Sequence, residues 1–147
     1  MQNLAHDYVH DTRQTILLVE DFDDTRLMMK MWLQRNGYLV IEAETGEEAV
    51  TIAQRELPDL IIMDMMMPGM NGLDATQQIR QYHSLDQTPI VAVSAYGADE
   101  YRKIALEAGC DEYVSTPFNP SDLAELIKEL LSQADAKPNA EASDLDH

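Results

Sequence analysis

The feature that most constrains this chain is an alternation. Short apolar runs recur along it, each followed by a segment with a helical apolar period. Ile16-Leu17-Leu18-Val19, Leu60-Ile61-Ile62-Met63 and Pro89-Ile90-Val91-Ala92-Val93-Ser94 read as buried strands. Residues 38–42 and Glu112-Tyr113-Val114-Ser115 read as two more. Helices are expected over 22–36, from the capping box Thr45-Gly46-Glu47-Glu48 to about Leu57, from Asn71 to about Tyr82, and over 98–108. Asn119-Pro120 opens a last helix, with proline at its first position and Leu123, Leu126, Ile127, Leu130 and Leu131 on one stripe. In the first helix Asp23 and Asp24 suit the positive first turn, and Gly37 closes the end. Met28, Met31 and Trp32 stand at i, i+3 and i+4 there and are expected to face the core. Five strands alternating with five helices predict an α/β fold, a doubly wound five-stranded parallel sheet.

At 147 residues the chain fits one domain, expected over 15–134, with flexible polar tails at 1–14 and 135–147. The formal net charge of -17 repels phosphate backbones and anionic membranes, so direct binding of nucleic acid or membrane is not expected. Basic partners or divalent cations suit it better. Cys110 is the only cysteine, which excludes an internal disulfide and a thiolate zinc cluster. The polar N-terminus lacks a secretory h-region and no apolar run approaches a membrane span, so a cytoplasmic location is expected. His6 and His10 are spaced to chelate a metal if helical, but they fall in the polar tail and read as solvated. His83 has no partner evident in the sequence.

In doubly wound sheets, function sits at the carboxyl ends of the strands. That rule selects Glu20 and Asp21, Asp64, Ser94, and Ser115-Thr116-Pro117. Asp64 ends an apolar run and precedes a loop rich in turn formers, Pro68, Gly69, Asn71 and Gly72. Acids at two strand ends that converge suggest a divalent metal site built around a reactive carboxylate. The methionines at 65, 66, 67 and 70 read as core and loop filler.

These residues carry a family resemblance. VED at 19–21, IIMD and its MPGMNG loop at 61–72, VSA at 93–95 and YVSTPF at 113–118 resemble a response-regulator receiver domain of two-component signalling, similar to single-domain chemotaxis regulators. The resemblance covers residues 15–134 and implies a flavodoxin-like (βα)5 sheet with strand order 2-1-3-4-5. It implies that Asp64 is the phosphoacceptor and that Mg²⁺ is held by Asp21 and Asp64, by Glu20 directly or through water, and by the backbone carbonyl of Met66. It implies that Ser94 hydrogen-bonds the phosphoryl group and that Tyr113 is an aromatic switch. The donor would be a histidine kinase or a histidine phosphotransfer protein. With no output domain after residue 134, the signal would pass to a downstream protein. That partner would meet the surface of the fourth helix, fifth strand and fifth helix, within residues 97–131, where Arg102 and Lys103 lie. A homodimer through that surface is a further expectation. The protein would be a phosphoacceptor, not an enzyme acting on an external substrate.

One position departs from the family pattern. The residue before the last loop's Pro-Phe is usually lysine; here it is Thr116. Threonine completes the catalytic set with Asp64 and Ser94, but offers a hydroxyl and no charge. Two readings stay open: a regulator switched by phosphorylation, and a pseudo-receiver interaction module with weakened coupling. The resemblance also implies that the positions two residues beyond the phosphoacceptor and the hydroxyl residue gate water; here they are Met66 and Tyr96, both bulky and poor at orienting water, so slow loss of phosphate is expected. A metal-dependent phosphohydrolase is disfavoured, because position 66 is Met where such enzymes carry a general acid. A nucleotide-binding enzyme is disfavoured by the lack of a Gly-rich phosphate loop after the first strand.

Overall fold

The computed structural model describes residues 12–95 and 99–136. The strands are β1 (Thr15–Val19), β2 (Leu39–Ala43), β3 (Leu60–Asp64), β4 (Ile90–Ser94) and β5 (Glu112–Ser115). The helices are α1 (Asp23–Arg35), α2 (Gly46–Glu56), α3 (Gly72–Ile79), α4 (Asp99–Ala108) and α5 (Pro120–Ala136), with a 3₁₀ turn at His83–Leu85. All strand pairs are parallel and the sheet order is β2-β1-β3-β4-β5, the flavodoxin-like order. The chain leaves β1 toward one edge and returns across it to build the other. The switch point therefore lies between β1 and β3, where a crevice opens at the carboxyl ends.

Successive strand side chains point to opposite faces, and each face has its own core. Leu17, Val19, Ile61, Met63, Ile90 and Ala92 meet Ala49, Val50 and Ala53 of α2, Ala75 and Ile79 of α3, and Ala105 of α4. Ile16, Leu18, Leu60, Ile62, Val91 and Val93 meet Met29 and Leu33 of α1 and Leu123, Ile127 and Leu131 of α5. Burying each of the larger aliphatic side chains contributes about 1.5–3 kcal/mol. The apolar runs are thus covered on both faces, as parallel central strands require.

The caps behave as their residue types predict. Thr45 Oγ1 accepts the Glu48 N–H at 3.0 Å, and Asn71 Oδ1 accepts the Asp74 N–H at 3.0 Å. The Glu48 carboxylate reaches back to the Glu44 N–H at 2.7 Å, one residue earlier than a standard capping box. The α1 face is a correction. Met28 is 69% exposed and Met31 46%, while Met29 and Leu33 are the buried pair and Trp32 is half-buried. Six of the seven residues from Leu27 to Leu33 are apolar, so the period fits more than one rotation of the helix, and packing against β1 and β3 selects one. A second correction is the end of α3. It stops at Ile79 rather than about Tyr82: the Arg80 N–H still bonds the Thr76 carbonyl four residues back, but Gln81 and Tyr82 bond the Gln78 and Ile79 carbonyls three residues back, which tightens the chain out of the α-helix. A third concerns His83, whose Nδ1 lies 2.8 Å from Asp86 Oδ2.

Helix α5 runs to Ala136, two residues past the expected boundary at 134. Residues 1–11 and 137–147 of the expected tails, with His6 and His10, lie outside the described residues, as does Tyr96. Among the described residues no helix is long and apolar enough to cross a membrane.

Candidate functional site

Strands β1 and β3 are hydrogen-bonded neighbours in register, with Val19 opposite Met63. The next residues, Glu20 and Asp64, therefore leave the sheet level with one another at the crevice. One carboxylate oxygen from each of Glu20, Asp21 and Asp64 lies within 4.8 Å of the others, and all three residues are half-buried. The backbone fixes the outer pair. Glu20 Oε2 accepts the Phe22 N–H at 3.0 Å, and Asp64 Oδ1 accepts the Met66 N–H at 3.0 Å. The loop after Asp64 is folded tightly against β4 and α3. Met65 donates its N–H to the Val93 carbonyl at 3.0 Å, and a Cβ on Gly72 would stand 2.8 Å from Met65 Cα. Only glycine lets α3 start this close to the Asp64 backbone.

Among the described residues no lysine or arginine forms an ion pair with these three carboxylates. Arg26 comes near, but its Nη1 donates to the Glu20 backbone carbonyl at 2.9 Å. Its other nitrogens pair with Glu42 at 3.2 Å and Asp23 at 2.8 Å. Burial therefore dominates the protonation of the cluster. It pushes the Glu20 carboxyl up to about 7; the Phe22 amide opposes this and the Asp64 charge adds to it. Burial also raises Asp64 above the usual aspartate range, against the Met66 amide and the hydrogen bond shared with Glu20, while the Asp21 charge adds to the rise. Acids this close titrate as a group. Three hard oxygen donors around one point, with no lysine or arginine paired to them among the described residues, fit a small divalent ion such as Mg²⁺.

The other expected residues lie on β4, on β5 and in the loops after β3 and β5. Ser94 ends β4, is buried, and accepts the Thr116 N–H on its backbone carbonyl at 2.8 Å. Thr116 itself is exposed, and the Thr116-Pro117 peptide is cis. Tyr113 is buried in β5, in the same core as Met65 and Met67, both buried, whereas Met66 is 42% exposed. One residue escaped the sequence reading. Tyr101 of α4 donates its hydroxyl to Met66 Sδ at 3.4 Å, and its ring lies 6.5 Å from that of Tyr113, tilted by 45°. The partners are 35 residues apart, so no local pattern signals the contact.

Two other features are separate from the crevice. Glu42, Glu44, Glu47 and Glu48 line an acidic groove along β2 and α2, but Glu42 is already paired with Arg26 and Lys30. Cys110 is buried beside Thr76, and burial pushes its thiol up to about 11, which keeps it unreactive.

Comparison with known proteins agrees with this geometry. A family model described as the response regulator receiver domain matches residues 16–128. The transcriptional regulatory protein ResD of Bacillus subtilis (strain 168) is 37% identical over 128 residues, 87% of this chain and 51% of ResD. The chain spans about half the length of the curated relatives it matches first. A CheY-like receiver domain protein from Methanospirillum hungatei JF-1 superposes with a TM-score of 0.78 at 29% identity, covering 84% of this chain and 98% of that one. The receiver domain of the sensor histidine kinase PA1611 from Pseudomonas aeruginosa PAO1 gives a TM-score of 0.77 at 31% identity, covering 82% and 99%. That structure has a magnesium ion coordinated in its active-site cleft. Sequence match, strand order and the acids at the switch point agree, and this chain belongs to the response regulator receiver domain family of two-component signalling.

Proposed function

We propose that the protein accepts one phosphoryl group on Asp64 and uses the change to alter a partner-binding surface. The observation that carries this reading is the convergence of Glu20, Asp21 and Asp64 at the switch point with no described cation paired to them. Glu20, Asp21 and Asp64 would hold Mg²⁺, with the Met66 carbonyl as a further ligand. When bound, the ion supplies the positive charge that phosphoryl transfer needs on the equatorial oxygens.

The residues act as follows. An Asp64 carboxylate oxygen attacks the phosphorus of a phosphohistidine on a histidine kinase or phosphotransfer protein. A P–O bond forms as the P–N bond breaks, and the bonding pair leaves on the imidazole nitrogen. The Met66 N–H on Asp64 Oδ1 orients the carboxylate for that attack. Ser94 donates its hydroxyl to a phosphoryl oxygen, Thr116 offers a second hydroxyl, and Tyr113 follows the movement of the β4 end. The donor docks on α1 beside the crevice, where Phe22, Leu27, Met28 and Met31 expose apolar surface next to a groove lined by Trp32 and Phe118. The downstream partner meets α4, β5 and α5.

Phosphoramidate with Mg²⁺ tests the reading by intact mass. We expect one phosphate per chain, and none in Asp64→Asn. Labelling retained in Asp64→Asn, or no labelling of the wild type, would overturn it. Thr116 favours a second reading, an interaction module with weakened phosphorylation coupling, because its exposed side chain carries no charge. Full labelling without altered hydrogen exchange in α4, β5 or α5 would select that reading.

A further inference from the structure

We infer that Tyr101 is the positioning residue that passes the state of the Asp64 loop to α4, a step that rests on the phosphoacceptor reading above. The connection is continuous in space. Asp64 Oδ1 accepts the Met66 N–H at 3.0 Å, and Met66 Sδ accepts the Tyr101 hydroxyl at 3.4 Å. The Tyr101 ring then faces that of Tyr113 at 6.5 Å. Three elements that are distant in sequence, the β3–α3 loop, α4 and β5, meet in these contacts.

The two ends of the Tyr101–Met66 contact differ in freedom. Met66 is 42% exposed, and its side chain has three rotatable bonds. Tyr101 is packed against the buried cluster on the α2, α3 and α4 side of the sheet. The hydroxyl thus anchors a flexible side chain to a fixed ring. A change in the hydrogen-bond demand of Asp64 acts first on the Met66 amide. The sulfur contact carries that displacement to Tyr101, and through its backbone to the first turn of α4. Coupling of this kind is reciprocal, so a ligand that shifts α4 also shifts the loop that holds Asp64.

Beryllofluoride with Mg²⁺, a phosphoryl mimic, provides the test by hydrogen exchange in wild type, Tyr101→Phe, Met66→Leu and the double variant. Both substitutions keep the bulk of the side chain, and urea melts check that each variant is folded. In wild type we expect added protection in residues 65–71 and in 99–108. In Tyr101→Phe the loop response stays, while the α4 response falls by about fivefold or more, the lower end of ordinary coupling between sites. Met66→Leu lowers the α4 response as well, and the double variant loses no more of it than either single one. An unchanged α4 response in Tyr101→Phe, additive losses, or a wild-type loop that responds while α4 does not would each overturn the inference alone. A wild-type loop with no response would overturn the phosphoacceptor reading, and this inference with it.

Discussion

At the amino end of the sheet, Asp59 Oδ2 accepts the Thr15 N–H at 2.7 Å, and the Asp59 N–H returns to the Thr15 carbonyl at 2.8 Å. Beside it, Asp111 Oδ2 accepts the Ile90 N–H at 2.8 Å and an Arg80 nitrogen at 3.0 Å. The same guanidinium holds the Gly109 carbonyl at 2.9 Å and the Leu85 carbonyl at 2.7 Å. At the carboxyl end, Glu20, Asp21 and Asp64 stand together with no described cation to offset them. Both ends use aspartates beside strand termini. At one end donors and charges are matched, which ties loops to the sheet. At the other the mismatch disfavours full ionisation and leaves a site for a cation. The acids do different work because of what packs around them, a difference seen wherever function is built at the expense of local stability.

The contrast is sharpest if the matched end is broken. Arg80→Met keeps the aliphatic stem but strands two carbonyls and unpairs Asp111. We expect a loss of about 2–4 kcal/mol in urea unfolding, with Mg²⁺ affinity unchanged. A loss below about 0.5 kcal/mol, the usual effect of a neutral surface change, would mean that this end is not the anchor described here.

The next effect concerns the mismatched end and has a definite sign. The folded protein raises Glu20 from 4.5 to about 7, so the folded state holds a proton that the unfolded state has released. Its stabilising effect is full below 4.5 and is lost as pH rises through about 7. Without metal, wild type should therefore lose stability relative to Glu20→Gln across that window. By pH 8 the difference should reach about 1 kcal/mol, after allowance for solvent screening at a half-exposed site. Saturating Mg²⁺ should reverse the order, since binding to the folded state alone adds about 2.7 kcal/mol at a hundredfold excess over Kd. Melting curves that keep the same order at all pH values, with and without Mg²⁺, would refute the mismatch.

A smaller effect is expected from Thr116→Lys, which brings a cation toward the acids. Mg²⁺ binding followed by calorimetry should weaken by about three- to tenfold, and the metal-free protein should gain about 0.5 kcal/mol. Equal or tighter binding in the lysine variant would show that the missing charge does not govern metal affinity.

Much of this was legible in the sequence because it depends on local chemistry. The apolar runs, the caps at Thr45 and Asn71, and the proline opening α5 each act within a few residues, and each element forms where they predict. The pairing of acids at strand ends was legible too, since parallel strands bring their carboxyl ends to one side. The inward face of α1 was not. Its run of apolar residues is consistent with several rotations, and the choice falls to Met29 and Leu33 only when β1, β3 and α5 pack against it. Tyr101 was invisible for a similar reason, because both of its partners come from other elements.

By itself, then, the sequence determined the succession of strands and helices, the family, and which acids stand at strand ends, because these follow from periodicity, capping and short motifs. Only the tertiary structure decided that Glu20, Asp21 and Asp64 share a half-buried space with no described cation paired to them, and that Met66 is tied to Tyr101. The reason is physical. Desolvation and Coulomb repulsion depend on distances across the sheet, and a one-dimensional pattern carries none of them.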